Sequence, residues 1–386
     1  MKLLAISKAA HTLVNREIYS LLTNEYNYEI KLVLPKKLRL LKEYIECDPY
    51  NNDSYDCVAL DMIGSDRTSR YRGLFKLLRT FNPSIIYFED DPMTLTAAIL
   101  GIWCYLKNKK LVCRTNQNRE LTLRLEISRL GLFRGVISVT FKLALFWVTK
   151  NTVHHIFVIS NDGKKAITNL GYKNVTIIPL GFNENRFKID LTKRKEKRTE
   201  LGIDSIAISY FGRITHAKGV HLLIESLSKL KEYNWKFLID TFDQYADDYQ
   251  THIKGLITEN EIEDRTIFFD ADHNEISDYM NASDIVVAPS ITTSFFKEEY
   301  GRVVPETMAC GCLVIVSDSG TLKDLVNNDE WIFEEGKIDQ LVLMLERAIL
   351  IKDRSKYGEK ASLFARKDFG IKKQAYLMDN VFKSLS

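Results

Sequence analysis

Short apolar runs alternate with stretches of helical spacing almost from the first residue of this chain, and that alternation limits the folds open to it. In the first half the runs are Leu3 to Ile6, Ile30 to Leu34, Ser84 to Phe88, Lys110 to Cys113 and His155 to Ser160. Ile177 to Phe182 closes this first unit, and a second series follows at Ile206 to Phe211, Lys236 to Ile239, Thr266 to Phe269, Ile285 to Ala288 and Leu313 to Val316. Such alternation argues for parallel strands covered by helices. At 386 residues, 45% of them hydrophobic, the chain is too long for one core and apolar enough to bury two. The expectation is an α/β fold of two Rossmann-like domains, residues 1–185 and 186–365, with a C-terminal helix over 366–386.

Composition removes several function classes. Lys and Arg total 54 against 51 acids, so the net charge of +3 gives no global case for a nucleic-acid partner. The six cysteines form no C-x-x-C pair and are too sparse for a disulfide scaffold, which fits a reducing cytoplasm. Met1 to Ser7 is too short for the core of a signal peptide and reads as a first strand. No glycine precedes Gly64, so the first strand lacks the G-x-G-x-x-G turn of dinucleotide-dependent oxidoreductases. The charge run Lys193-Arg194-Lys195-Glu196-Lys197-Arg198 reads as a solvated linker or helix edge.

Two constellations in the second half carry chemistry. In Lys297-Glu298-Glu299-Tyr300-Gly301-Arg302-Val303-Val304-Pro305-Glu306, two acids stand eight positions apart across a glycine turn. Proline suits the first position of a helix, so Pro305 marks a helix start. First-turn amides and the helix dipole would then face the turn and attract an anion such as a diphosphate. Carboxylates there would repel phosphate, which leaves the neutral hydroxyls flanking it, a ribose on one side and a hexose on the other, as partners for the two acids. About eighty-five residues earlier, the run Ile206 to Phe211 leads into Gly212-Arg213-Ile214-Thr215-His216-Ala217-Lys218-Gly219 and then a helical pattern. Arg213 and Lys218 thus lie on a loop at the carboxyl end of a strand, where ligands sit in open α/β sheets. Two cations there suit a diphosphate and would stabilise charge growing on a leaving group. His216 has no visible group to orient it as a base, and reads as a solvated or loop-bonded histidine.

Glu298 to Glu306 resembles the E-x7-E signature of the retaining glycosyltransferases of family 4, also called group 1, whose members have the GT-B fold. Gly212 to Gly219 resembles the G-R-x-x-x-x-K-G motif of the same family, and Gly301 and Met308-Ala309-Cys310-Gly311 match as well. The resemblance is strong from about 155 to 330 and only architectural before that. It implies two domains facing a cleft and a last helix that crosses back onto the first. It also implies that Arg213 and Lys218 bind the donor diphosphate, that Glu306 holds the ribose and that Glu298 contacts the donor sugar. Gly212, Tyr300, Gly301 and Arg302 join Glu306 in the implied donor-binding set. The expected reaction is hexosyl transfer from a nucleoside diphosphate sugar to a saccharide or lipid-linked acceptor hydroxyl, with retained configuration and no cofactor or metal, in polysaccharide or glycolipid synthesis. A sugar-nucleotide epimerase of the same fold and a non-catalytic sugar-nucleotide-binding module are the alternatives.

The first half departs from the family pattern. A glycine pair often follows the first strand in the family, whereas Ser7-Lys8-Ala9-Ala10-His11 stands here. An acceptor-side histidine is also common in the region of Glu89-Asp90-Asp91 and Arg114-Thr115-Asn116-Gln117-Asn118; neither loop has one, and Asn118 or Gln117 would take its place. The three acids read as solvated carboxylates or ligands for acceptor hydroxyls rather than a metal site. Leu130 to Lys150 is strongly apolar, but Arg134, Ser138 and Lys142 recur on one helix face, against a membrane span. An amphipathic helix on an anionic membrane, helped by Arg119, Arg124 and Arg129, and ordinary core packing both fit. The expected location is therefore cytoplasmic, with a peripheral place on the inner face of the membrane as the open addition.

Overall fold

The computed structural model describes residues 1–40, 43–47, 54–64, 66–241 and 248–386. They form two compact units, Met1–Pro179 with Ile371–Ser386, and Leu180–Gly370. The chain therefore changes unit at Pro179 and again at Gly370, a few residues from the boundaries expected at 185 and 365.

In the first unit, strands β1 (Lys2–Ser7), β2 (Glu29–Pro35), β3 (Asp56–Leu60), β4 (Ile85–Glu89), β5 (Lys110–Thr115), β6 (His155–Val158) and β7 (Val175–Ile177) make one sheet. Its order is β7-β6-β5-β4-β1-β2-β3, with parallel pairing throughout. The order reverses between β1 and β4, where Ser7 lies opposite Glu89. β3 was not anticipated from sequence, although Cys57 to Leu60 is apolar throughout; it is an edge strand, largely half-exposed. Helices α1 (Leu95–Lys107), α2 (Leu123–Leu130) and α3 (Leu132–Thr152) follow β4 and β5. α2 and α3 cross at Gly135, where a Cβ would lie 2.8 Å from the backbone of Ile127. Beside that crossing Lys142 Nζ is 2.7 Å from Glu126 Oε2, and Ser138 donates to the same carboxylate. Two of the three polar residues expected on one face of α3 thus turn inward onto α2, while Arg134 is exposed. The closing helix Ile371–Ser384 belongs to this unit: Phe382 packs against Tyr28, Tyr87 and Phe157, and the Tyr28 hydroxyl donates to Asp379 at 2.9 Å.

The second unit holds β8 (Ile206–Tyr210), β9 (Trp235–Asp240), β10 (Thr266–Phe269), β11 (Ile285–Ala288), β12 (Leu313–Ser317) and β13 (Ile332–Phe333), all parallel, in the order β10-β9-β8-β11-β12-β13. Its functional helices are α4 (Leu191–Glu200), α5 (Val220–Ser228), α6 (Ile276–Ala282) and α7 (Val303–Ala309). Of the two readings of the charge run at 193–198, the helix edge holds and the linker does not: the run lies on α4, with Lys193, Lys195 and Glu196 exposed. Arg194 and Arg198 both pair with Asp284 and donate to the carbonyls of Asn281, Ala282 and Ser283 at the end of α6. Unpaired carbonyls at a helix C-terminus attract cations, so this charge docks one helix on another. All six cysteines are free and buried, and burial pushes the Cys104 and Cys312 thiols up to about 12.

Candidate functional site

The strand order of the second sheet reverses between β8 and β11, so the loops after these strands leave in opposite directions and open a crevice at their carboxyl ends. Both sequence constellations sit there. Gly212 follows β8, and the Tyr210 hydroxyl donates to the Arg213 carbonyl at 2.8 Å, which fixes the start of the loop. The loop ends in a 3-10 turn, His216–Lys218, and then Gly219 at φ 70°. A Cβ on Gly219 would lie 1.9 Å from the Pro289 carbonyl oxygen, so only glycine lets this turn touch the end of β11.

That approach brings Lys218 to the second constellation. Lys218 Nζ is 2.6 Å from Glu298 Oε2, and the Ser290 hydroxyl donates to the same oxygen at 2.9 Å. The Phe296 ring centroid lies 5.3 Å from the same ammonium, in cation–π range. Glu298 is only 5% exposed. A buried carboxylate is costly unless its charge and lone pairs are answered, and here an ammonium and a hydroxyl answer them. Arg213 stands exposed at the beginning of the same loop.

Glu306 is buried too, as the fourth residue of α7. The helix begins at Val303, so Pro305 is its third residue and not its first. Proline is tolerated there because amides in the first turn have no acceptor within the helix. The shift matters for anion binding: the Val304 amide bonds to the Gly301 carbonyl at 2.9 Å and Pro305 has no amide, so the first turn offers fewer donors than a helix starting at Pro305 would. Burial pushes the Glu306 carboxyl up, while the guanidinium groups of Arg302 and Arg186 pull it back down. Arg302 Nε is 3.6 Å from Glu306 Oε1. Tyr300 ties this loop down, its hydroxyl donating to the Leu180 carbonyl at 2.8 Å, and Gly301 lies against Leu322.

Sequence reasoning missed Ser290 and Arg186. Ser290 was findable, since it follows the apolar run of β11 at the carboxyl edge; Arg186 lies in a turn with no pattern to mark it. His216 is exposed and stacks on His221, with ring centroids 4.9 Å apart.

The polar strand-end loops of the first unit are engaged differently. Glu89 accepts from the hydroxyls of Ser7 and Tyr19 and lies 3.9 Å from the buried Arg114. Asp90 pairs with Lys8 at 2.7 Å, and Asp91 pairs with Arg67 at 3.4 Å and accepts from the Met93 amide. Instead of solvated carboxylates, these are half-buried groups tied to neighbouring loops. The Gln117 side chain donates to the Arg119 carbonyl, and Asn118 is buried.

Residues 193–364 match the family of glycosyl transferases group 1. A capsular polysaccharide biosynthesis glycosyltransferase of Staphylococcus aureus is 29% identical over 252 residues, 60% of this chain and 60% of its own length. A lipopolysaccharide core biosynthesis mannosyltransferase of Rhizobium meliloti is 29% identical over 244 residues, 59% of this chain and 65% of its own. The chain thus spans about three fifths of the length of these relatives. The fold is the GT-B fold: the whole chain superposes on 98% of a glycosyltransferase from Rickettsia africae with a TM-score of 0.75 at 17% identity. An Anabaena protein, HepE, solved in complex with UDP, matches end to end with a TM-score of 0.72 at 17% identity. The matched glycosyl transferase segment contains all four motif residues, Arg213, Lys218, Glu298 and Glu306.

Proposed function

We propose that this glycosyl transferase moves a sugar from a nucleoside diphosphate sugar to an acceptor hydroxyl with retained configuration, in the synthesis of a polysaccharide or glycolipid. The observation that carries the reading is the contact between Lys218 and Glu298, which joins two sequence constellations eighty residues apart at the reversal point of the second sheet. An ammonium has three N–H donors, so Lys218 can hold Glu298 and still offer donors to a diphosphate. In this account Arg213 grips the diphosphate with its planar fork, Glu306 fixes the ribose hydroxyls and Glu298 orients the sugar. Ser290 keeps the Glu298 carboxylate aimed.

The bond from the anomeric carbon to the diphosphate oxygen breaks, and the acceptor oxygen forms its bond on the same face. The acceptor proton passes to a donor phosphate oxygen, so no side chain has to serve as nucleophile. Arg213 and Lys218 stabilise the charge that collects on the leaving diphosphate. The relatives named for capsular polysaccharide and lipopolysaccharide core synthesis support the class of product, and HepE, solved with UDP, supports a nucleotide donor. A cytoplasmic location and independence of metal belong to the same proposal; six free buried thiols support the first.

The test is incubation of nucleotide sugars with and without an acceptor, followed by NMR of the product. Transfer that needs acceptor and keeps the anomeric configuration supports the reading. Conversion of donor alone to an isomeric sugar nucleotide would make the protein an epimerase, and binding without any conversion would make it a non-catalytic module.

A further inference from the structure

Helix α3 of the first unit turns much of its apolar surface outward. α3 turns Gly135, Ser138, Lys142, Leu145 and Thr149 inward, the last bonded to the Tyr172 hydroxyl at 2.7 Å, with Phe146 packed on the same tyrosine. Outward it shows Leu132, Phe133, Val136, Ile137, Leu143 and Trp147, with Phe133 82% and Trp147 66% exposed. α1, packed beside α3, also exposes Ile102, Tyr105 and Leu106. An amphipathic helix of a soluble unit buries its apolar stripe, so a stripe of this size facing outward marks a surface that meets something other than water.

Charge says what that something is. Residues 101–153 hold ten Lys or Arg and two acids, Glu120 and Glu126, although the chain as a whole is nearly balanced. Glu126 is buried against Lys142, and Glu120 is bonded to Asn169, while Arg124, Arg129 and Arg134 stand exposed near the start of α3. Large apolar side chains ringed by cations fit an anionic bilayer, whose headgroups attract the cations while the acyl boundary takes the apolar groups. A second copy of this chain would bring the same excess of positive charge face to face and be repelled. Although α3 is long and apolar enough to cross a membrane, its inner face is tied along its length by Glu126, Ser138, Lys142 and Thr149. It is therefore a wall of the first unit rather than a span.

We propose that the outward face of α3, with its flanking arginines, is the surface by which this protein docks on an anionic lipid bilayer. The test is co-sedimentation of the whole chain with vesicles of phosphatidylcholine alone and of phosphatidylcholine mixed with phosphatidylglycerol. Wild type, Phe133→Ser/Ile137→Ser/Trp147→Ser and Arg124→Gln/Arg129→Gln/Arg134→Gln are compared. All six side chains are exposed, so both variants should fold, and thermal melting checks that they do. Wild type should sediment with the anionic vesicles and less with the neutral ones. Loss of three surface cations should weaken binding to the anionic vesicles on the order of a hundredfold, and the apolar variant should lose binding to both. No binding of wild type to either vesicle would overturn the proposal. So would binding that both folded variants retain in full, or a wild-type dimer in solution that the apolar variant alone dissolves.

Discussion

Each of the two units breaks its strand order once, and each places a carboxylate at the break, yet the two carboxylates are held in different ways. In the first unit Glu89 sits opposite Ser7 across β1 and β4 and is fastened by Ser7, Tyr19 and the buried Arg114, all on structured elements of the unit. In the second, Glu298 is held by Ser290 and by Lys218, a side chain that arrives from a loop and can exchange partners by rotating a flexible stem. The turn after β1 is a 3-10 turn in which the Ala10 amide bonds to the Ser7 hydroxyl, and it contains no glycine; the loop after β8 also ends in a 3-10 turn, but Gly212 and Gly219 flank it and bring it against Pro289. The same topological position serves to tie strands together in one unit and to present charge in the other. Topology provides the crevice; the residues on its loops decide whether it is used.

Lys218→Ala gives the largest expected effect. Turnover should fall on the order of a hundred- to a thousandfold, the cost of removing one donor aimed at developing charge, with a much smaller loss of melting temperature. Unchanged turnover would end the distinction between the two carboxylates. Next comes Glu89→Ala, which should cost about 2–3 kcal/mol of stability in a denaturant titration, because Tyr19 and Ser7 lose an acceptor and the buried Arg114 loses an opposite charge. Full stability with abolished turnover would move Glu89 from scaffold to chemistry.

A subtler contrast lies in pH dependence. Burial holds the Glu306 carboxyl above its ordinary value of 4.5. The folded state then binds more protons than the unfolded chain, so this stabilising contribution is complete below 4.5 and is lost as pH rises through the folded value. Glu306→Gln should flatten the melting temperature against pH in the window from 4.5 up to the folded value; an unaltered profile would show that Arg302 and Arg186 already cancel the cost of burial. The smallest effect is expected for His216→Ala, an exposed ring stacked on His221. Turnover should stay within about twofold, the range of ordinary surface changes, and a larger loss would give the histidine a part in the reaction.

Much of this was legible in the sequence where physics acts locally. The apolar runs at Ile285–Ala288 and Leu313–Val316 coincide with β11 and β12, since parallel strands inside a sheet are covered on both faces and must be apolar on both. The edge strand Asp56–Leu60 escaped notice although its residues Cys57 to Leu60 are all apolar. The charge run at 193–198 looked solvated because the carbonyls and Asp284 that receive its arginines lie some eighty-five residues away in the chain. Lys218 and Glu298 were each visible in a motif, but Ser290 and Arg186 join the site only through folding. The inverted face of α3 was hidden likewise, because sequence spacing shows that a stripe exists and not which way it turns.

The most direct test of the donor site is a thermal-shift comparison of UDP, GDP and ADP on wild type and on Arg213→Ala. A ligand that binds only the folded state raises the melting temperature by mass action. One nucleotide should produce a shift that the variant loses. A shift of equal size in the variant, or none with any of the three, would contradict a donor site built on Arg213, Lys218, Glu298 and Glu306.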